Sequence, residues 1–294
     1  MIKRVIAIGV MIIGLYVGLV SLQIFLGGKL QKKTPQGEEN VQPTHKIYSF
    51  SFTKYTATGE KEIEIEGNSA NILARTVDLI NVVAKAYAEE TPVTITADQG
   101  QYDKEKNKVH LQKNVIATTE DGTRLLSEEL DIHPSKRMME TDVETQVKKD
   151  NIDIEGMGAR GDSRLKKVRF KKNVTVIVQD PEKKEQGKPT TITCDGPLII
   201  DYEKNVAHFK DHVVSKDERG QLTADSMDVF YNKTTRRVSK IVAVGNVVIE
   251  NPEGNKTFSD NVVYLAEEGR IILGGDTEAL YFEGEGKSLE KELI

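Results

Sequence analysis

Beyond residue 46, apolar and polar positions alternate over short stretches. Lys61 to Glu66 reads Lys-Glu-Ile-Glu-Ile-Glu, Lys108 to Leu111 reads Lys-Val-His-Leu, and Val174, Val176 and Val178 fall two apart. A period of two gives a strand one dry face and one wet face. Asn, Asp, Gly and Lys punctuate these stretches, so the pattern predicts short antiparallel strands joined by tight turns. Residues 72–88 carry a second pattern, because Leu73, Val77, Ile80, Ala84 and Tyr87 sit at helical spacing. An amphipathic helix is the alternative there; strands are favoured because a repeated unit brackets the segment at Ala70 and Ala97.

The first half of that unit ends on a small residue, often before an acid. Thr94-Ile95-Thr96-Ala97-Asp98, Ile192-Thr193-Cys194-Asp195, Leu222-Thr223-Ala224-Asp225 and Thr257-Phe258-Ser259-Asp260 are the clear copies. Glu66 to Ala70, Leu125 to Glu128 and Ile154 to Gly156 are weaker ones. A polar turn follows, as at Tyr102-Asp103-Lys104, Tyr202-Glu203-Lys204 and Tyr231-Asn232-Lys233. The second half reaches an Asn-Val or similar step at Asn114, Asp142, Asn173, His212 and Asn246, spaced 28, 31, 39 and 34 residues apart. The longest interval contains a polar loop, Pro181 to Pro189. Two strands cannot bury an apolar face alone, so the units must stack.

The amino-terminal segment follows a different rule. Val5 to Leu26 carry no charge and lie between Lys3-Arg4 and Gly27-Gly28-Lys29. At ~1.5 Å per residue such a run crosses a ~30 Å hydrocarbon core as one helix. A cleaved signal has a core of ~7–15 residues and a small-x-small site, which Ser21 to Leu26 does not offer. The expectation is a retained transmembrane helix over residues 5–27, a cytoplasmic tail over 1–4 and a linker over 28–45. Lys29, Lys32 and Lys33 nearly balance Lys3 and Arg4, and the short leading tail favours a cytoplasmic amino terminus. Gly14 and Gly18 form a small-xxx-small pair that admits a neighbouring helix, or they reflect the frequency of Gly in membrane helices.

Composition narrows the chemistry. A net charge of -5 gives no electrostatic reason to bind nucleic acid. Cys194 is the lone cysteine, so no internal disulfide forms, and it reads as a small buried strand residue. His208 and His212 are the one close histidine pair and would share a face of a continuous strand, yet nothing completes a metal set around them. The carboxylates sit at turns and on outward positions, and no Gly-x-Ser-x-Gly, phosphate loop or His-Glu-x-x-His occurs. No catalytic residue, metal or cofactor is expected, and Gly245 and Gly274-Gly275 read as strand bends.

What remains is an apolar inner face and two open strand edges. The face is either a closed core, as in a structural scaffold with no lipid, or a trough that shelters acyl chains at ~0.8 kcal/mol per buried CH₂. Alternation does not separate the two. The inward positions are Ile63, Ile65, Ile95, Val109, Leu111, Val115, Val174, Val176, Ile192, Val247 and Ile249. A one-residue slip would turn any of them outward. The open edges can pair with a strand of another protein.

The apolar run, followed by Phe50-Ser51-Phe52-Thr53-Lys54-Tyr55-Thr56-Ala57-Thr58-Gly59 and then Val93 to Asp103, resembles the LptC family, the bitopic inner-membrane component of lipopolysaccharide export. The later units, with Leu222 to Asp225 and Val244-Gly245-Asn246-Val247, resemble the OstA-like repeat domain of the bridge protein LptA. The resemblance implies an open, twisted antiparallel β-jellyroll, LptC-like over residues 46–180 and OstA-like over 190–294. It implies lipopolysaccharide as cargo, acyl chains inside, received from the transmembrane subunits of an ABC transporter at the inner membrane. The periplasm is the implied location, and ATP is hydrolysed by another subunit. Gly59 matches a glycine in the first hairpin turn, near the transporter. Typical members stop after the first jellyroll. That leaves open whether a bridge protein docks at Asn173 to Val178 or only on the last strands, with Thr277, Ala279 and Tyr281.

Overall fold

Alternation of the kind seen at Ile63 and Ile65 builds one long meander. The computed structural model describes residues 45–87, 92–162, 164–179, 188–235 and 237–281, which fall within one compact unit spanning 42–294. The expected membrane helix over 5–27, with Gly14 and Gly18, lies outside the described residues. Among those described, no helix is long and apolar enough to cross a membrane.

The first six strands are β1 (His45–Tyr55), β2 (Lys61–Ile72), β3 (Thr76–Ala86), β4 (Val93–Asp103), β5 (Lys108–Thr118) and β6 (Arg124–His133). β7 (Met138–Glu140) and β8 (Glu144–Lys149) are two pieces of one broken strand, followed by β9 (Ile152–Asp162) and β10 (Lys167–Val178). β11 (Thr190–Cys194) and β12 (Leu198–Asp201) are likewise two pieces, followed by β13 (Val206–Asp217), β14 (Gly220–Tyr231), β15 (Val238–Glu250) and β16 (Lys256–Leu265). β17 (Arg270–Gly274) and β18 (Glu278–Leu280) close the series as a third broken pair.

With each broken pair counted as one strand, every strand pairs antiparallel with its sequence neighbours. β7 and β8 lie between β6 and β9, and β11 and β12 lie between β10 and β13. Among the described residues, β17 and β18 pair with β16 on one side only. Residues 72–88 are strand: β3 pairs with β2 and β4, and the helical alternative is not what forms.

Most strands are longer than the short ones expected, because a bend in mid-strand takes the place of a turn. Lys113-Asn114, Asp211-His212 and Gly245-Asn246 each put two successive residues at positive φ, between 46° and 82°. At each site two residues face one on the next strand, a β-bulge that turns the chain. Asn, Asp and Gly tolerate this left-handed region better than other residues. The steps noted in the sequence are these bends, with Asn173 (φ 54°) a further case. Asp142 is an exception, lying in the break between β7 and β8, where it pairs with Lys171.

The two halves of the repeated unit meet at the bends. Asn114 Nδ2 donates to Asp98 Oδ2 (2.7 Å), Asn246 Nδ2 donates to Asp225 Oδ2 (2.8 Å), and His212 Nδ1 lies 2.9 Å from Asp195 Oδ2. Asp260 does the same for the last break, accepting from the Asp276 N–H at 3.0 Å. The acid after the small residue therefore ties down the bend of the following strand.

Bent strands give each strand two arms, and the arms face each other. β11 pairs with the 174–178 arm of β10 and β12 with the 167–170 arm. Yet Ile192 of β11 and Leu198 and Ile200 of β12 line one cavity. The result is an all-β, two-layered antiparallel jellyroll whose core is continuous from Ile63 to Val229.

Cys194 lies inside this core, paired across from Val174. Burial pushes its thiol up to about 11, with N–H groups of Lys210 and Gly196 partly opposing the shift. The thiolate is the reactive form. The folded protein is therefore expected to resist alkylation by iodoacetamide at pH 8 and to react promptly in denaturant. Rapid labelling without denaturant would mean that the β10–β11 ladder opens.

Candidate functional site

The structure buries the inward positions expected from alternation. Ile63, Ile65, Ile95, Val109, Leu111, Val115, Val174, Val176 and Ile192 are at most 5% exposed and belong to the main core. Val247 is buried in a second, small cluster with Ala224, Ala243 and Val262, against which half-buried Ile249 packs. The carboxyl-terminal layers are thus thinner, and Ile271, Ile272 and Leu273 of β17 are exposed.

Two openings break into the apolar interior. At the amino-terminal end, Phe50, Phe52, Ile65, Val77, Leu79 and Tyr102 line a groove of about 510 Å³. Tyr102 is held there by a hydrogen bond from its hydroxyl to Asn107 Oδ1 (3.1 Å), and burial raises its pKa. Further along, β9 to β15 enclose an apolar cavity of about 50 Å³. It shares Val178, Ile192, Val229 and Val238 with a cleft of about 440 Å³ that also touches Asn151, Gln179 and Arg219. In strand order, fully buried Leu111, Leu130, Ile132 and Met139 lie between groove and cavity. Buried side chains occupy that stretch.

Several inward rings were not anticipated. Phe170 and Phe209 are the largest fully buried side chains. Tyr102, Tyr202 and Tyr231, which read as the first residues of polar turns, instead line the groove and the cavity. Their recurrence before each turn was the available signal.

His208 and His212 do not act together. The bend at Asp211-His212 interrupts β13, so His208 Nδ1 meets Asp228 Oδ1 (2.7 Å) and His212 meets Asp195. The shared face that a continuous strand would have given them is lost.

The edge positions divide into open and closed. Gly59 closes the β1–β2 turn with φ +87°, donating its N–H to Thr56 O at 3.0 Å, and a side chain at its position would meet nothing within 4 Å. Asn173 to Val178 are not an edge, because β10 is paired with β9 on one side and β11 on the other. Thr277, Ala279 and Tyr281 are exposed, and among the described residues Ala279 pairs only with Thr257 of β16.

Two known families match successive parts of the chain. Residues 6–180 match the family described as lipopolysaccharide-assembly, LptC-related, and residues 191–288 match the family described as LptA/(LptD N-terminal domain) LPS transport protein. No curated protein matches the chain. With more than half of its length inside the first of these families, and that segment forming β1 to β10 of a bent-strand jellyroll, this chain belongs to the LptC-related family of lipopolysaccharide-assembly proteins.

Proposed function

We propose that the chain is a non-enzymatic carrier of lipopolysaccharide, held at the inner membrane by residues 5–27 with its bulk in the periplasm. It receives the lipid from the transmembrane subunits of an ABC transporter near Gly59 and passes it toward the outer membrane. Residues 46–180 serve as the first jellyroll module and 190–294 as a second that supplies part of the bridge in the same chain. The observation that carries this reading is the pairing of β10 with β11 and β12, which joins the two family segments in one sheet, with the main core running across the junction.

Each methylene exposed to water costs ~0.8 kcal/mol, so an acyl chain can leave a bilayer without a large penalty only when the destination is equally dry. The amino-terminal groove offers such a surface, and loading beyond it requires the packed layers to part around Leu111 and Met139.

Photo-crosslinking in membranes tests the proposal. Photoreactive residues replacing Ile95 and Val176 are expected to give adducts with labelled lipopolysaccharide, and exposed Thr96 and Ile177 are not. Absence of adducts at both inward positions would instead favour an anchored scaffold with a dry core.

A further inference from the structure

One line of cross-strand partners crosses the outer face of the sheet from β4 to β17, and its chemistry changes near the end. Gln101, His110, Asp131, Glu140, Arg160 and Arg169 face one another in turn. Ile199, His208 and Asp228 continue the line on β12, β13 and β14. The residues beside them in sequence, among them Leu111, Val168 and Met227, are buried in the core, so the line looks outward. Up to β14 it is polar except at Ile199. On the next three strands the outward partners are Val242, Val263 and Ile272.

Neighbouring positions widen this apolar face. Val244, two residues along β15, is 47% exposed, and Ile272 is 45% exposed. Phe230 and Leu265 flank Lys240 at the hairpin end of the same face. The inner face of β15 and β16 is apolar as well, with Ala243 and Val262 buried. Antiparallel strands usually keep one face polar for solvent. Strands that are apolar on both faces suit a sheet covered on both sides.

The rim is sorted by charge. At the hairpin end Lys240 Nζ lies 4.4 Å from the Phe230 ring centroid, and Arg270 pairs with exposed Glu268 at 2.9 Å. At the other end, where the strands bend, Asp225 accepts from Asn246 Nδ2 and Asp260 from the Asp276 N–H. Both carboxylates thus bond uncharged groups, and Asp276 itself is exposed. An anionic bilayer would be repelled by these three acids. A second copy of the same face supplies both halves of the match. A two-fold axis lying between the faces and running across the strands sets one hairpin end over the other bend end, with Arg270 of each copy toward Asp276 of the other.

We propose that the outer face of β14 to β17 is an interface between two copies of this chain, packed sheet on sheet with Val242, Val263 and Ile272 along the two-fold axis. At ~4.8 Å per strand and ~3.3 Å per residue, four strands over five residues present roughly 300 Å². A standard complex buries ~800 Å² on each partner, so this contact is weak and fills as concentration rises. The apolar interior and the outer edge of β17 and β18 are not used, so the inference does not depend on the carrier reading.

Cysteine crosslinking of the full-length protein in detergent tests it. The native Cys194 is buried and gives little background. Val263→Cys and Ile272→Cys, each self-facing across the axis, are expected to form disulfide dimers under mild oxidation, in a yield that rises with concentration. Thr96→Cys, equally open to solvent on an earlier strand, is expected to form none. In the Val263→Cys background, Arg270→Asp and Asp276→Arg should each cut the yield about fivefold, since each disturbs two surface ion pairs per dimer. Combining them restores the pairs with the signs exchanged, and the yield should return. Circular dichroism melts of the two charge variants should match the parent, because both residues are exposed. Dimers no more abundant at Val263→Cys and Ile272→Cys than at Thr96→Cys would overturn the interface. So would a loss that the double exchange fails to restore. A solvent-sensitive fluorophore on Val263→Cys that responds to phosphatidylglycerol vesicles and not to protein concentration would assign the face to a membrane and overturn it as well. Lipopolysaccharide adducts at Ile95 and Val176 can persist in each of these cases, so the carrier reading stands or falls separately.

Discussion

Replacing Phe170 by alanine is expected to lower unfolding stability by about 3–5 kcal/mol, the range for removing a buried aromatic ring. Phe170 is fully buried on the arm of β10 that pairs with Ala159 and Leu198. Its surroundings have no slack: a Cβ added at Gly156 would lie 2.9 Å from the ring, and Val174 crowds the same spot. A site that full cannot collapse, so the cavity left behind adds to the lost transfer energy. Domains of this kind have ~5–15 kcal/mol in total, so the loss is a large share of stability. Denaturant melts followed by circular dichroism read it directly, with exposed Arg169→Ala as a control that should stay within about 0.5 kcal/mol of wild type. A cost below about 1 kcal/mol for Phe170→Ala would mean that the two layers are not packed at this point.

The second large effect is expected at the far edge. The broken pair β7/β8 is covered by β9, and β11/β12 by β13, whereas β17/β18 has no strand on its outer side among the described residues. A jellyroll partner adding a strand there would gain main-chain hydrogen bonds, the usual source of affinity in strand addition. Successive residues point their N–H groups to opposite sides of a strand. Of Ala279→Pro and Leu280→Pro, one therefore removes a donor facing the partner and the other loosens β18 from β16. Each should cut crosslinking between a photoreactive group at Tyr281 and such a partner tenfold or more, about 1.4 kcal/mol. A group at Thr175 should give no such adduct, since β10 is paired on both sides. Full crosslinking in both proline variants would move the docking surface elsewhere.

Where alternation is unbroken, the sequence reading and the structure coincide. Ile63 and Ile65 share a face because nothing interrupts Lys61 to Glu66. The reading weakens wherever a bulge shifts the parity. In β3, Leu79 is buried, Ile80 is exposed, Asn81 sits at φ 52° and Val82 is buried again. That single left-handed residue turns a spacing of two into a spacing of three, whereas the helical match over residues 72–88 ran through Ile80, which faces out. The recurring steps at Asn114, His212 and Asn246 were visible as a repeat but not as bends, since φ is not written in a residue name. Nor could alternation show that Asp98, Asp195 and Asp225 reach across to them, because those contacts join residues on different strands. The tyrosines were obscured by position, since Tyr202 and Tyr231 precede polar turns and their rings nevertheless fold inward.

A sheet in which every strand, with each broken pair counted as one, has its immediate sequence neighbours as partners needs no distant segment to complete it. Closing each hairpin carries a small loop-entropy cost, and local topologies form faster than those waiting on remote contacts. The amino-terminal hairpins can therefore be in place while the ribosome is still adding later ones. Growth by successive addition also explains how a chain could lengthen in evolution by appending hairpins, since each new one finds a ready template in the last.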